Sequence, residues 1–180
     1  MSSWHVNGWN HNAIFHRGPE GYFYAHNAVI VGQVKLAQDA NIWYGSVIRG
    51  DDAPITIGER VNIQDLTMVH ADPDKPLTVG NDVTVGHRAI LHCRSIGNCC
   101  LIGMGSVLME DVEIGDGSLV AAGSVVVPGT IVPPNSLVRG TPARVARETT
   151  AEERAAFLKS AAKYAAIAAE YVEYFPGATS

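Results

Sequence analysis

From Tyr24 onward a large apolar residue recurs every six positions. The column runs Tyr24, Ile30, Leu36, Ile42, Ile48, then Ile57, Ile63, Val69, then Val79, Val85, Leu91. It continues as Ile96, Ile102, Leu108, Ile114, Val120, Val126, Val132 and Val138. Three steps break the period: Ile48 to Ile57, Val69 to Val79, and Leu91 to Ile96. A second column sits four residues after each aliphatic and is mostly small, as at Ala40, Ser46, Ala89, Cys100, Ser106 and Ser118. An amphipathic helix would show spacings of three and four, and an ordinary sheet would alternate by two. A period of six with one large and one small inward position predicts a short strand followed by a tight corner. Three such units, about 18 residues, close one triangular coil of a parallel β-helix. Each coil contacts only its neighbours, so the stacked ladders form the core. The expected class is an all-β solenoid.

The ends of the chain differ. Residues 1–22 carry no repeat and contain Trp4, Trp9 and Phe15, so an irregular N-terminal arm is expected there. Residues 23–145 are assigned to the β-helix, and residues 146–180 to a helix and tail. Thr149 with Glu152, or Thr150 with Glu153, forms a capping-box start. An Ala-rich stretch follows, with Phe157, Tyr164 and Tyr171 one heptad apart, a packing stripe rather than chemistry. Pro176-Gly177 is the expected stop. Such a helix lies along the prism or across a subunit boundary.

Composition now acquires a meaning. Of 180 residues 47% are apolar, yet only 7% are aromatic, and 18 are Gly. Aliphatics fill a narrow prism, few aromatics fit, and small residues turn the corners. The net charge of −5 provides no basic footprint for nucleic acid. Three cysteines, two of them adjacent, make no disulfide framework and point to a reducing compartment. No apolar run reaches the roughly 18 residues that a membrane span needs. Met1-Ser2-Ser3-Trp4-His5 has no signal-peptide pattern, so a cytoplasmic protein is expected. The low charged fraction of 17% fits a prism surface hidden against two partners.

The repeat also serves as a ruler. If each interruption is confined to a corner, Ile30, Ile48, Val69, Leu91, Leu108 and Val126 stack on one face. The residue after each points outward, because neighbouring strand residues face opposite sides. Those residues are Val31, Arg49, His70, His92, Met109 and Val127. His70 and His92 are therefore neighbours on adjacent coils, roughly 4.8 Å apart by backbone, within reach of one metal. His87 lies on the preceding face, beyond a corner, so a neighbouring subunit would have to supply it. Closed symmetry then suggests a trimer with a metal at each interface. Three neutral imidazoles with an open fourth position make the layout of a catalytic zinc site. His5, His11, His16 and His26 are read as structural or surface residues, and Cys93, Cys99 and Cys100 as structural thiols.

Arg49-Gly50-Asp51, Asn62-Ile63-Gln64, Val69-His70, and Gly86-His87 with His92 five residues on resemble the γ-class carbonic anhydrases over roughly residues 24–175. The resemblance implies a left-handed β-helix, a homotrimer, and metal at each subunit interface held by His70 and His92 of one subunit and His87 of the next. It implies Zn2+, or alternatively Fe2+ or Co2+, and CO2 and bicarbonate as substrate and product. Arg49 and Asp51 would match an intersubunit ion pair. Gln64 would match the residue that hydrogen-bonds the metal-bound water or bicarbonate, with Asn62 a polar neighbour. A metal lowers the pKa of bound water toward about 7, and the hydroxide attacks CO2. The acidic loop with a proton-relay glutamate found in some members has no counterpart here, since only 16 residues separate His70 from His87. Asp52 stands where a shuttle glutamate is expected, and Asp72 or Asp74 could also carry protons.

Two other readings compete. Hexapeptide proteins include acyl-CoA thioesterases and acyltransferases, but those usually need a His on a protruding loop and a groove for pantetheine, and the loops here are short. A non-catalytic metal-binding trimer would keep metal and assembly without hydration.

Overall fold

The computed structural model describes residues 14–174. The chain folds as a left-handed parallel β-helix of about six coils, with one helix laid against it. The first face stacks Phe23–Ala25, Asn41–Ile42, Asn62–Ile63, Thr84–Val85, Leu101–Ile102, Leu119–Val120 and Ser136–Gly140, all in parallel register. The second and third faces are joined, because Val29–Leu36 and Val47–Ile57 run unbroken around the corner between them. Register on the second face pairs Ile30 with Ile48, Ile48 with Val69, Val69 with Leu91, Leu91 with Leu108, and Leu108 with Val126. That is the column read from the sequence.

The six-residue aliphatics form the core. Ile42, Ile48, Ile63, Val69, Leu91, Ile102 and Leu108 are fully buried, and the small column beside them is closed at Ala40, Ser46, Ala89, Cys100 and Ser106. Bare parallel edges invite pairing with other chains. Here Phe15–Arg17 pairs antiparallel at one end of the first face and Ala143–Glu148 at the other.

Glycine turns several corners with positive φ, as expected, at Gly45, Gly105, Gly117, Gly123 and Gly129, but not all of them. Several of the residues that turn the chain with positive φ are large, Leu66 at 62° and Arg88 at 59° among them. Glycines that follow the inward aliphatics meet another need. A Cβ on Gly103 would stand 2.4 Å from the Ala122 nitrogen of the next coil. Close coil-to-coil approach, not the turn itself, requires glycine there.

The helix Ala151–Tyr174 packs along the first face of its own chain. Its capping box is the Thr150–Glu153 pair: the Thr150 amide donates to Glu153 Oε2 at 2.8 Å, and the Glu153 amide donates to Thr150 Oγ1 at 3.2 Å. Phe157 is buried, and Tyr164 and Tyr171 pack edge-on against Trp43. Trp4, Trp9, His5, His11 and the Pro176-Gly177 stop lie outside the described residues. No helix among the described residues is long and apolar enough to cross a membrane.

Candidate metal centre

All three breaks in the hexad period fall at one edge of the prism, between the second and third faces. The step from Ile48 to Ile57 is three residues longer than a regular one, Val69 to Val79 four longer, and Leu91 to Ile96 one shorter. The extra backbone projects carboxylates around the outward column that holds Arg49, His70 and His92. Asp51 and Asp52 come from the first excursion, Asp72 from the second.

His70 and His92 meet on adjacent coils. Nδ1 of His70 lies 3.2 Å from Nε2 of His92, and the ring centroids are 5.2 Å apart. Nε2 of His70 is buried without a hydrogen bond, although Asp51 Oδ1 and Asp52 Oδ2 each stand 3.3 Å away. His92 has Asp72 Oδ1 at 3.5 Å from Nε2 and Glu110 Oε1 at 3.6 Å from Nδ1. Two nitrogens bound at 2.0–2.1 Å to one tetrahedral ion stand about 3.3 Å apart. The observed Nδ1–Nε2 separation therefore fits a divalent ion held between the two rings, whereas the orphaned Nε2 of His70 faces the other way, toward Asp51 and Asp52. Asp51, Asp52 and His70 form one group with metal-ligand spacing, and Asp72, His92 and Glu110 another.

Arg49 pairs with Asp51 within the chain, at 2.6 Å. That hydrogen bond holds the Asp51 carboxyl below its usual range. Lys75, in the second excursion, ties that loop to the coil two turns on through Asp111 at 2.6 Å.

The remaining candidates sit on the first face. His87 belongs to neither metal-competent group. Its Nδ1 lies 2.9 Å from Asp65 Oδ2, one coil away. Both line a cavity of about 310 Å3 with Trp43, Tyr44, Tyr164 and Glu170. Burial first, then the neighbouring Tyr171 and Asp65, pushes the Tyr44 hydroxyl up to about 12. Gln64 and Asn62 are also on this face, both buried, with Gln64 Nε2 donating to Asn62 Oδ1 at 3.1 Å. A single chain thus brings together His70, His92, Arg49, Asp51 and Asp52, and holds His87, Gln64 and Asn62 apart from them.

Asp65 and Glu110 were not singled out from the sequence. Both carry a signal in the ruler: Asp65 follows Ile63 by two residues as His87 follows Val85, and Glu110 follows Leu108 by two on the metal face. Cys93 and Cys100 are buried, and burial pushes each thiol up to about 12, which suits structural roles. His16 stacks on Tyr24 and His26 packs edge-on to Tyr44.

A family model described as bacterial transferase hexapeptide (six repeats) matches residues 95–128. The chain is 49% identical over 131 residues to a carbonic anhydrase from Geobacillus kaustophilus, covering 73% of this chain and 72% of that one. It is 40% identical over 154 residues to protein YrdA from Escherichia coli, covering 82% and 84%. Among solved structures it is similar to a hexapeptide transferase family protein from Anaplasma phagocytophilum, with TM-score 0.72, 39% identity, and 82% and 91% coverage.

Proposed function

Since the chain belongs to the γ-class carbonic anhydrase family, we propose that it catalyses reversible hydration of CO2 to bicarbonate and a proton. The observation that carries this reading is the His70–His92 pair, with two ring nitrogens 3.2 Å apart on adjacent coils. His70 and His92 would hold a metal from one subunit, with His87 supplied by a partner subunit. Three neutral imidazoles with an open position suit Zn2+, and Fe2+ or Co2+ as well. When bound, the ion supplies the Lewis acidity that makes a hydroxide nucleophile available near pH 7.

The chain's own residues do the rest. Gln64 would orient the oxygens of CO2 and bicarbonate without adding charge. Asn62 holds the Gln64 amide. Arg49, neutralised by Asp51, shapes the rim. Asp52, with its carboxylate 3.3 Å from His70 Nε2, would accept the released proton.

A homotrimer accounts for a further feature. Immediately before each inward aliphatic of the second face, the outward residues are Val29, Val47, Met68, Ile90, Val107 and Val125, an unbroken apolar ladder. Val29, Met68 and Ile90 are exposed. The equivalent positions of the third face begin Lys35, Thr56, Thr78, Ser95 and Glu113, which are polar. An apolar face beside the histidine pair is what a subunit interface needs, and closed threefold symmetry would lay the His87 corner of a partner subunit against it.

Stopped-flow CO2 hydration on metal-replete protein tests the activity. No hydration between about pH 7 and 9 with zinc, cobalt or anaerobic iron would sink it.

A further inference from the structure

Buried polar side chains form a ladder on the first face, beneath the C-terminal helix. Asn41, Asn62 and Thr84 are register partners on three successive coils, and all are buried. They point outward, toward the helix rather than into the prism. Burying an amide is costly unless its groups are bonded, and these are. Asn41 Nδ2 donates to the Asp39 carbonyl at 2.9 Å, and its Oδ1 accepts from Trp43 Nε1 at 2.8 Å. One coil on, Asn62 Oδ1 accepts from Gln64 Nε2 at 3.1 Å. On both coils an asparagine holds the outward side chain two residues further along.

The Asn62 link continues outward. Its Nδ2 donates to Thr84 Oγ1 at 2.9 Å and to the Val83 carbonyl at 3.4 Å. Thr84 donates in turn to Ser160 Oγ of the helix at 3.1 Å. The Val83 carbonyl only accepts, but its contact is long at 3.4 Å, so Thr84 Oγ1, accepting at 2.9 Å, is the main hold on the nitrogen of Asn62. Its oxygen then faces Gln64, which must answer with Nε2. Oε1 is the end of Gln64 that remains for a ligand.

We propose that Thr84 and Ser160 are positioning residues that act through Asn62 to fix the Gln64 amide with its oxygen outward, as the acceptor for the hydroxyl of bicarbonate. The identity of the ligand rests on the carbonic anhydrase reading, whereas the relay does not. Ser160 Oγ accepts the Thr84 hydroxyl bond, which leaves a Thr84 lone pair free to accept from Asn62. Without the Ser160 oxygen, the Thr84 hydroxyl can turn its proton toward Asn62. The asparagine amide then rotates, Gln64 follows, and a donor replaces the acceptor.

The test compares Ser160→Ala, Thr84→Val and the conservative Thr84→Ser with the unaltered protein. Alanine is a good helix former, so the first variant keeps the helix. Side-chain amide signals of Gln64, identified by their loss in Gln64→Ala, are followed by NMR in metal-free protein. Solvent exchange of the bonded amide proton should quicken roughly tenfold in Ser160→Ala and Thr84→Val, the worth of one net hydrogen bond. It should stay slow in Thr84→Ser. In metal-loaded protein, kcat/KM for hydration should fall by a similar factor in the first two variants at unchanged metal content. Unchanged Gln64 exchange in both variants overturns the relay. Altered exchange with unaltered kcat/KM overturns its positioning role. An unaltered protein without hydration activity defeats the carbonic anhydrase reading and leaves the exchange result to decide the relay.

Discussion

His70 Nδ1 and His92 Nε2 face one another across 3.2 Å, although 22 residues separate them in the chain. Parallel register places the residue after Val69 directly beside the residue after Leu91. The contact is therefore a consequence of the coil, and not of either loop. A metal bound there depends on both rings. His70→Ala or His92→Ala should reduce bound metal from about one ion per chain to near zero, read by elemental analysis after dialysis. His87→Ala should do the same and also weaken the trimer. Full occupancy in any of the three would refute the ligand set.

The apolar ladder of the second face gives an expectation for assembly. Met68→Glu with Ile90→Glu places two carboxylates on that ladder, where both side chains are exposed in the single chain. Sedimentation should shift from trimer to monomer, and metal content should fall with it. A variant that sediments as the unaltered protein would remove this face from the interface.

Stability should depend on pH through Glu153. Hydrogen bonds from Arg147 and from the Thr150 amide hold its carboxyl down to about 2, against an ordinary value of 4.5. The charged form is favoured in the fold, so its contribution is present above about 4.5 and is lost as pH falls toward about 2. Melting temperatures over that interval should fall less steeply in Glu153→Gln than in the unaltered protein. Parallel curves would show that the cap contributes nothing measurable.

Core truncation should be costly at the centre of the stack. Ile63 is fully buried between Ile42 and Val85 of the adjacent coils. Ile63→Ala should lower unfolding free energy by about 2–5 kcal/mol in urea denaturation. A loss below about 1 kcal/mol would mean that the coils close around the gap.

Much of this was legible in the chain. The hexad column fixed which residues are buried, because a strand two or three residues long can place only one large side chain inward per face. It also fixed which residues share an outward column, so the spacing alone aligns Arg49, His70 and His92. What it left open concerns groups whose position depends on loop paths. Asp51, Asp52 and Asp72 lie in excursions that break the period, so the ruler does not reach them. The glycines that directly follow the aliphatics are left open for a related reason: the sequence shows their position, but not the backbone of the next coil that crowds Gly103.

The sequence by itself determined the solenoid, the register and the histidine ladder, since a repeat translates directly into vertical neighbours. Only the tertiary structure decided what surrounds that ladder. It put all three irregular steps at one edge, so the carboxylates of the two longer ones, Asp51, Asp52 and Asp72, converge on the two imidazoles. It also laid the helix on the first face, where Ser160 reaches Thr84 across 76 residues of chain. Neither placement has a period, and non-repeating contacts follow from packing in three dimensions rather than from spacing along the chain.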